Sequence, residues 1–326
     1  MKRYLALLTL LAAALPFAAC GGRHNPTEKY FLVTANSKLS YWQTASSGLT
    51  RAGNQLGVQT EMVGPENYDP AAEAQAFRDA VAKKPAGILV SPADPALLGP
   101  EIDKAIAQGV PVITMDSDAP SSKRVSFIGT NNYEAGQIGG RVAAKALNGK
   151  GDVVVFTMPE QHNLAERLKG YRDIFADYPG IHVTQVVNIK GDPSVAFDTT
   201  MSMTQGGKSK ADGWICMEAT ACKEVADVLN RNNVKGNVIV AMDTDQDTLD
   251  WIRKGSIAAT IAQKPYTMAF YGVKMLDDLH HYPPASLERV WAGDTFSPVP
   301  VFVDTGTTLI DKTNLDAFVQ AQASNK

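Results

Sequence analysis

The chain has 326 residues, a formal net charge of -3 at pH 7 and no run of like charges. That balance excludes the basic surface through which proteins hold nucleic acid, and the length suggests two domains. The three cysteines and five histidines show no metal-ligand spacing, so neither a metal nor a cofactor is expected.

In chain order, the first feature is an export signal. Lys2 and Arg3 precede the apolar run Tyr4–Leu15, too short to span a bilayer, and small residues follow at Ala18-Ala19. Phe17-Ala18-Ala19-Cys20 resembles a lipobox, which makes Cys20 the expected lipidation site and the anchor to a membrane surface. Residues 1–19 are therefore read as a lipoprotein signal peptide and 20–28 as a tether. Strand and helix then alternate. Tyr30–Thr34 reads as a strand, Gln43–Leu56 as a helix stopped at Gly57, and Val58–Val63 as a strand. Ala71–Lys83 is helical, Gly87–Val90 a strand, Leu97–Gln108 a helix. The β-branched run VPVIT from Val110 is a buried strand that ends in Asp116, Ser117 and Asp118, and Val125–Gly129 is a fifth strand.

The same order then restarts. Glu134–Leu147, Ala165–Tyr178, Ser194–Gln205 and Lys223–Asn230 read as helices. Asp152–Thr157, His182–Val187, Trp214–Met217 and Val238–Met242 read as strands. A repeated βα pattern implies two similar doubly wound parallel-sheet lobes. In such sheets, polar residues at the carboxyl ends of strands are candidate ligand groups. Ala258–Gln263 and the helix Tyr266–Leu279 are shared between the lobes, and His280-His281 ends that helix as surface cations suited to its dipole. No dinucleotide fingerprint, phosphate loop or nucleophile elbow is found, so an enzyme is not expected. Cys216 and Cys222 leave a disulfide and two free thiols equally open.

An exported two-lobed chain carrying VPVITMDSD, FIGTNNYEAGQIGG, AERLKGYRD, VIVAMDTD and AATIAQKP in this order resembles the ribose-type periplasmic sugar-binding proteins, the capture subunits of ABC importers. The resemblance implies the type I periplasmic-binding-protein fold with a three-segment hinge near Thr130–Asn132, Gln263–Pro265 and Trp291–Pro298. Residues 29–130 plus 264–291 then form the N-terminal lobe and 131–263 plus 292–326 the C-terminal lobe.

It also implies a ligand set. Tyr41-Trp42 match the family's aromatic pair, whose faces stack on the C–H face of a sugar. Asn36 and Ser37 share that loop. Asp116 matches the ligand carboxylate, an acceptor for two hydroxyls, with Ser117 where the family usually has Arg. Arg167, Asp243 and Gln263 match further binding positions. Glu218 stands where many relatives carry Asn, so the hydroxyl pattern differs or the ligand is cationic. An aromatic that some relatives place near Gly191–Asp192 is missing, and Asp192 is a weaker candidate. The implied protein is a monomeric, membrane-anchored capture protein that binds a small sugar, a monosaccharide or polyol, and delivers it to an ABC permease. The alternative is a signalling receptor of the same fold, autoinducer-2-like or a chemotactic sugar sensor. A repressor's effector domain and an enzyme are more remote.

Overall fold

The computed structural model describes residues 24–324. The expected signal peptide and Cys20 lie outside them. The first lobe opens with β1 (Lys29–Val33), α1 (Ser40–Leu56), β2 (Gln59–Val63) and α2 (Pro70–Ala82). It continues with β3 (Gly87–Val90), α3 (Pro95–Ala107), β4 (Val112–Met115) and β5 (Ser126–Gly129). Asp69-Pro70 and Asp94-Pro95 start two helices by one device. The Asp carboxylate accepts from the free N–H groups of the first turn, while Pro at the first helical position has no N–H to leave unpaired.

The chain then crosses to the second lobe. There lie α4 (Asn132–Ala146), β6 (Lys150–Thr157), α5 (His162–Phe175), β7 (Gly180–Asn188) and α6 (Pro193–Met203). A small hairpin, β8 (Thr204–Gln205) and β9 (Lys208–Ser209), follows, where the sequence pattern continues the helix to Gln205. Next come β10 (Gly213–Cys216), α7 (Ala221–Arg231), β11 (Val238–Met242), α8 (Gln246–Lys254) and β12 (Ala259–Ala262). Helix α9 (Pro265–His281) returns to the first lobe, and β13 (Phe302–Asp304), β14 (Thr308–Asp311) and α10 (Leu315–Ser324) end the chain.

Two six-stranded sheets result, ordered β13-β5-β4-β3-β1-β2 and β14-β12-β11-β10-β6-β7. Their five core strands follow the same order, 2-1-3-4-5 in each lobe, which is the doubly wound architecture with its switch point beside the first strand. All pairings among those strands are parallel. Each sheet is covered by helices over its own apolar core. Phe31, Leu32, Ile88, Leu89 and Ile113 fill the first, and Val154, Phe156, Trp214, Ile215 and Val240 fill the second.

The last segment corrects the expected lobe boundary. Residues 292–326 were expected wholly in the second lobe, but Phe302–Asp304 pairs parallel with β5 of the first sheet. Only β14 reaches the second, antiparallel to β12. The third crossing therefore falls between Asp304 and Thr308 instead of near Trp291–Pro298. Three residues carry no periodicity of their own; the open edge of a sheet supplies their partner. Cys216 and Cys222 are joined by a disulfide. Among the described residues no helix is long and apolar enough to cross a membrane.

Candidate functional site

The carboxyl ends of both sheets face each other across a cleft. Asp116 follows β4 and Asp243 follows β11, and both leave their strands in the left-handed region, with φ of 67° and 65°. Each keeps its N–H in the sheet, bonded to the carbonyl of Ile128 (3.1 Å) and of Ile261 (2.9 Å). This turn is strained for most residues, but Asp tolerates it. The two lobes thus present equivalent carboxylates by an equivalent turn.

Around these two the structure brings together eight of the residues singled out from the sequence. Asn36, Tyr41, Trp42, Asp116, Arg167, Glu218, Asp243 and Gln263 line one cavity. Tyr41 and Trp42 sit in the first turn of α1, their rings edge to face with centroids 5.0 Å apart. Tyr41 turns its hydroxyl away from the apolar interior to donate to Asp116 Oδ1 at 2.6 Å. Ser91 Oγ reaches Asp116 Oδ2 at 3.4 Å. Burial pushes the Asp116 carboxyl above its usual range, while the Tyr41 bond and the Arg167 charge pull it back.

Arg167 is fully enclosed in α5. Its Nη1 donates to the Met217 carbonyl, and Nη2 donates to Asn132 Oδ1 at 2.6 Å and to Gln263 Oε1 at 3.3 Å. Its Nε is buried without a hydrogen-bond partner, a cost to the fold. Gln263 uses both ends of its amide, donating from Nε2 to Asp243 Oδ1 at 3.0 Å and accepting from Thr130 Oγ1 at 2.9 Å. Burial raises the pKa of Asp243 to about 7, against the opposing pull of Arg167 and Gln263.

Other expectations shift. Both Glu218 oxygens cap the start of α7, accepting from Thr220 N, Thr220 Oγ1 and Ala221 N at 2.6–2.8 Å. Its carboxylate lines the cavity already engaged, inside the loop that the disulfide closes. Ser37 donates to the Pro65 carbonyl and does not line the cavity. Asp192 caps α6 by accepting from Ser194 N. Asp118 turns away from the cleft and holds Arg124 through paired bonds at 2.7 and 2.6 Å.

Asn163 and Tyr68 are among the lining residues that the sequence does not single out. Asn163, in the first turn of α5, reaches across the cleft and donates to Asp116 Oδ2 at 3.3 Å. Tyr68, from the first lobe, lies so close over Gly191 that a Cβ there would stand 2.3 Å from its ring. Its hydroxyl accepts from Gln161 Nε2 at 3.2 Å. Tyr68 thus puts an aromatic ring of the first lobe beside Gly191 of the second.

The close approach of α4 and α5 positions Arg167. A Cβ on Gly136 would lie 2.0 Å from the Arg167 carbonyl, and one on Gly170 would lie 2.2 Å from that of Tyr133. Gly136 of α4 and Gly170 of α5 therefore let the two helix backbones touch. Between the lobes the cavity measures about 80 Å³. At roughly 10–15 Å³ per water on that measure, it has room for several waters or one small polar ring.

A sequence model of the periplasmic binding protein domain matches residues 30–281. The chain belongs to the periplasmic binding protein family. This binding protein is 24% identical over 283 residues to the D-apiose import binding protein of Paraburkholderia graminis, covering 85% of this chain and 88% of the relative. It is 22% identical over 248 residues to the ribose import binding protein of Bacillus subtilis, covering 74% and 78%. Its fold matches AraP, an arabinose-binding protein from Geobacillus stearothermophilus, at 34% identity and a TM-score of 0.73, covering 90% of this chain and 99% of that one. A solute-binding protein from Burkholderia graminis in complex with D-arabinose matches at 26% identity and a TM-score of 0.80, covering 90% and 98%. Membership places the binding protein outside the cytoplasm, in a class of transport components and not a class of enzymes.

Proposed function

We propose that this protein captures one monosaccharide or polyol in the interlobe cavity and delivers it to an ABC importer. The observation that carries this reading is the union of an aromatic wall, Tyr41-Trp42, with polar groups from both lobes around one ring-sized space. Asp116 and Asp243 accept from sugar hydroxyls, Arg167 and Gln263 donate to them, and Trp42 covers an apolar face of the ring. A missing hydroxyl leaves a buried partner unpaired, which makes the site selective. Names carried by similar proteins support five-carbon sugars as the first to try.

Three connections between the lobes form the hinge, and closure over the sugar makes the surface that a permease reads. We further propose that the chain is a monomer tethered by a lipid on Cys20. Mass spectrometry of membrane-extracted protein tests the tether: a diacylglyceryl adduct, lost in Cys20→Ser, is expected. The principal test is a thermal-shift screen against pentoses, hexoses, polyols and amino sugars. A sugar that binds only the folded protein raises Tm by an amount that grows with the logarithm of its concentration above Kd. A clear shift with one or two monosaccharides is expected; no shift with any sugar, and a shift with a cationic or furanone ligand, would remove the sugar reading.

A further inference from the structure

A second constellation lies on the first lobe, remote from the cavity. His24 and Glu28 precede β1, and Asp277 and His281 stand one turn apart in the last part of α9. One ligand atom from each of these four residues falls within 4.8 Å of all the others. His281 Nε2 is 3.2 Å from Glu28 Oε2, 3.6 Å from Asp277 Oδ1 and 3.3 Å from His24 Nδ1. His24 Nδ1 is in turn 3.2 Å from Asp277 Oδ1. The sequence suggests a surface cation at His281 and a tether over residues 20–28. Instead, the imidazole of His281 turns inward, and the chain from His24 is packed against it.

These separations have a specific meaning. Four ligands at about 2.0–2.1 Å from a tetrahedral centre stand about 3.3 Å from one another. Here four of the six edges are 3.2–3.6 Å, and the other two, from Glu28 to His24 and to Asp277, lie within 4.8 Å. Two imidazole nitrogens facing each other at 3.3 Å also share their acceptors poorly. One Nε2–H cannot serve Glu28, Asp277 and His24 together, whereas one cation at the centre serves all four lone pairs. The outer contacts fit as well. Tyr30, fully buried, donates its hydroxyl to Asp277 Oδ1 at 3.0 Å, the kind of bond that orients a ligating carboxylate. Lys274 and Asp278 stand at the rim.

We propose that His24, Glu28, Asp277 and His281 bind one divalent transition-metal ion of the zinc type. Two imidazoles and two carboxylates favour zinc, cobalt or nickel over calcium and magnesium, which take larger all-oxygen sets. The site lies roughly 18 Å along α9 from the hinge, twelve residues at the helical rise, so the ion does not touch the sugar. Its effect is to fasten the segment entering β1 to the end of α9, four residues after Cys20. Binding fixes where the tether leaves the lobe.

The test uses the purified protein made without a polyhistidine tag and stripped with EDTA. Zinc is titrated by calorimetry and cobalt by absorption. The expected result is one ion per chain, a raised Tm with zinc, and the intense visible absorption of tetrahedral cobalt. In His281→Gln and in His24→Ala, zinc affinity falls at least tenfold, while sugar affinity is unchanged. Two results overturn the proposal: no binding of either metal at about 100 µM, a concentration that detects even weak sites, or undiminished binding in the His24→Ala, His281→Gln double variant. A Tm that zinc does not move overturns it too.

Discussion

Asp116 and Asp243 end equivalent strands in the same turn, but their protons answer to different neighbours. Asp116 is held by Tyr41 Oη at 2.6 Å, whereas Asp243 has only the Gln263 amide and stays near neutral, with its pKa raised to about 7 by burial. Sugar hydroxyls that donate to Asp243 favour its ionised form, so binding releases a proton. Affinity is therefore predicted to rise with pH through 7 and to be about tenfold weaker at pH 6 than at pH 8. For the ligand-free protein the sign is opposite. An acid whose pKa is raised on folding costs stability as pH climbs from its unfolded value toward 7. Calorimetric titration across this range checks the first sign, and Asp243→Asn should bind more weakly with a flat profile. A flat profile in the unsubstituted protein would contradict the role given to Asp243. The two carboxylates were legible in the sequence because each ends an apolar run abruptly. Asn163 was not, because its role depends on a lobe that sequence cannot place opposite it.

At the scale of elements, the pairing of α4 with α5 decides where Arg167 sits. Ala is favoured over Gly in a helix by up to about 1 kcal/mol, so Gly136→Ala should stabilise if propensity ruled. The added Cβ would lie 2.0 Å from the Arg167 carbonyl, and overpacking of that kind costs about 1–3 kcal/mol. Sterics win, so Tm is predicted to fall by several degrees and sugar affinity to drop with it, as Arg167 is pushed off Asn132 and Gln263. A raised Tm would show that the helices separate at no cost. The βα alternation and the two similar parallel-sheet lobes followed from the sequence, since each core strand is an apolar run bounded by a turn. The fate of β13 and the hairpin β8–β9 did not follow. Elements of two or three residues take their partners from an exposed sheet edge, and no pattern within them says which edge. Glu218 shows the same limit from the other side: a carboxylate placed correctly on the cavity wall spends its oxygens on the cap of α7.

For the whole molecule, the lobes are in contact across the cleft. Asn163 of the second lobe bonds to Asp116 of the first, and Gln161 to Tyr68. This is the closed arrangement, and its hinge runs through Thr130 and Gln263, which bond to each other at 2.9 Å. The central claim is that one sugar is gripped by both lobes at once. The measurement that tests it most directly is calorimetric titration of the sugar found by the thermal screen against Trp42→Ala, from the first lobe, and Asp243→Ala, from the second. Each is predicted to weaken binding by about thirtyfold or more, the loss expected when a central buried contact worth about 2 kcal/mol is removed. Unchanged affinity in either variant would mean that the sugar is not held between the lobes.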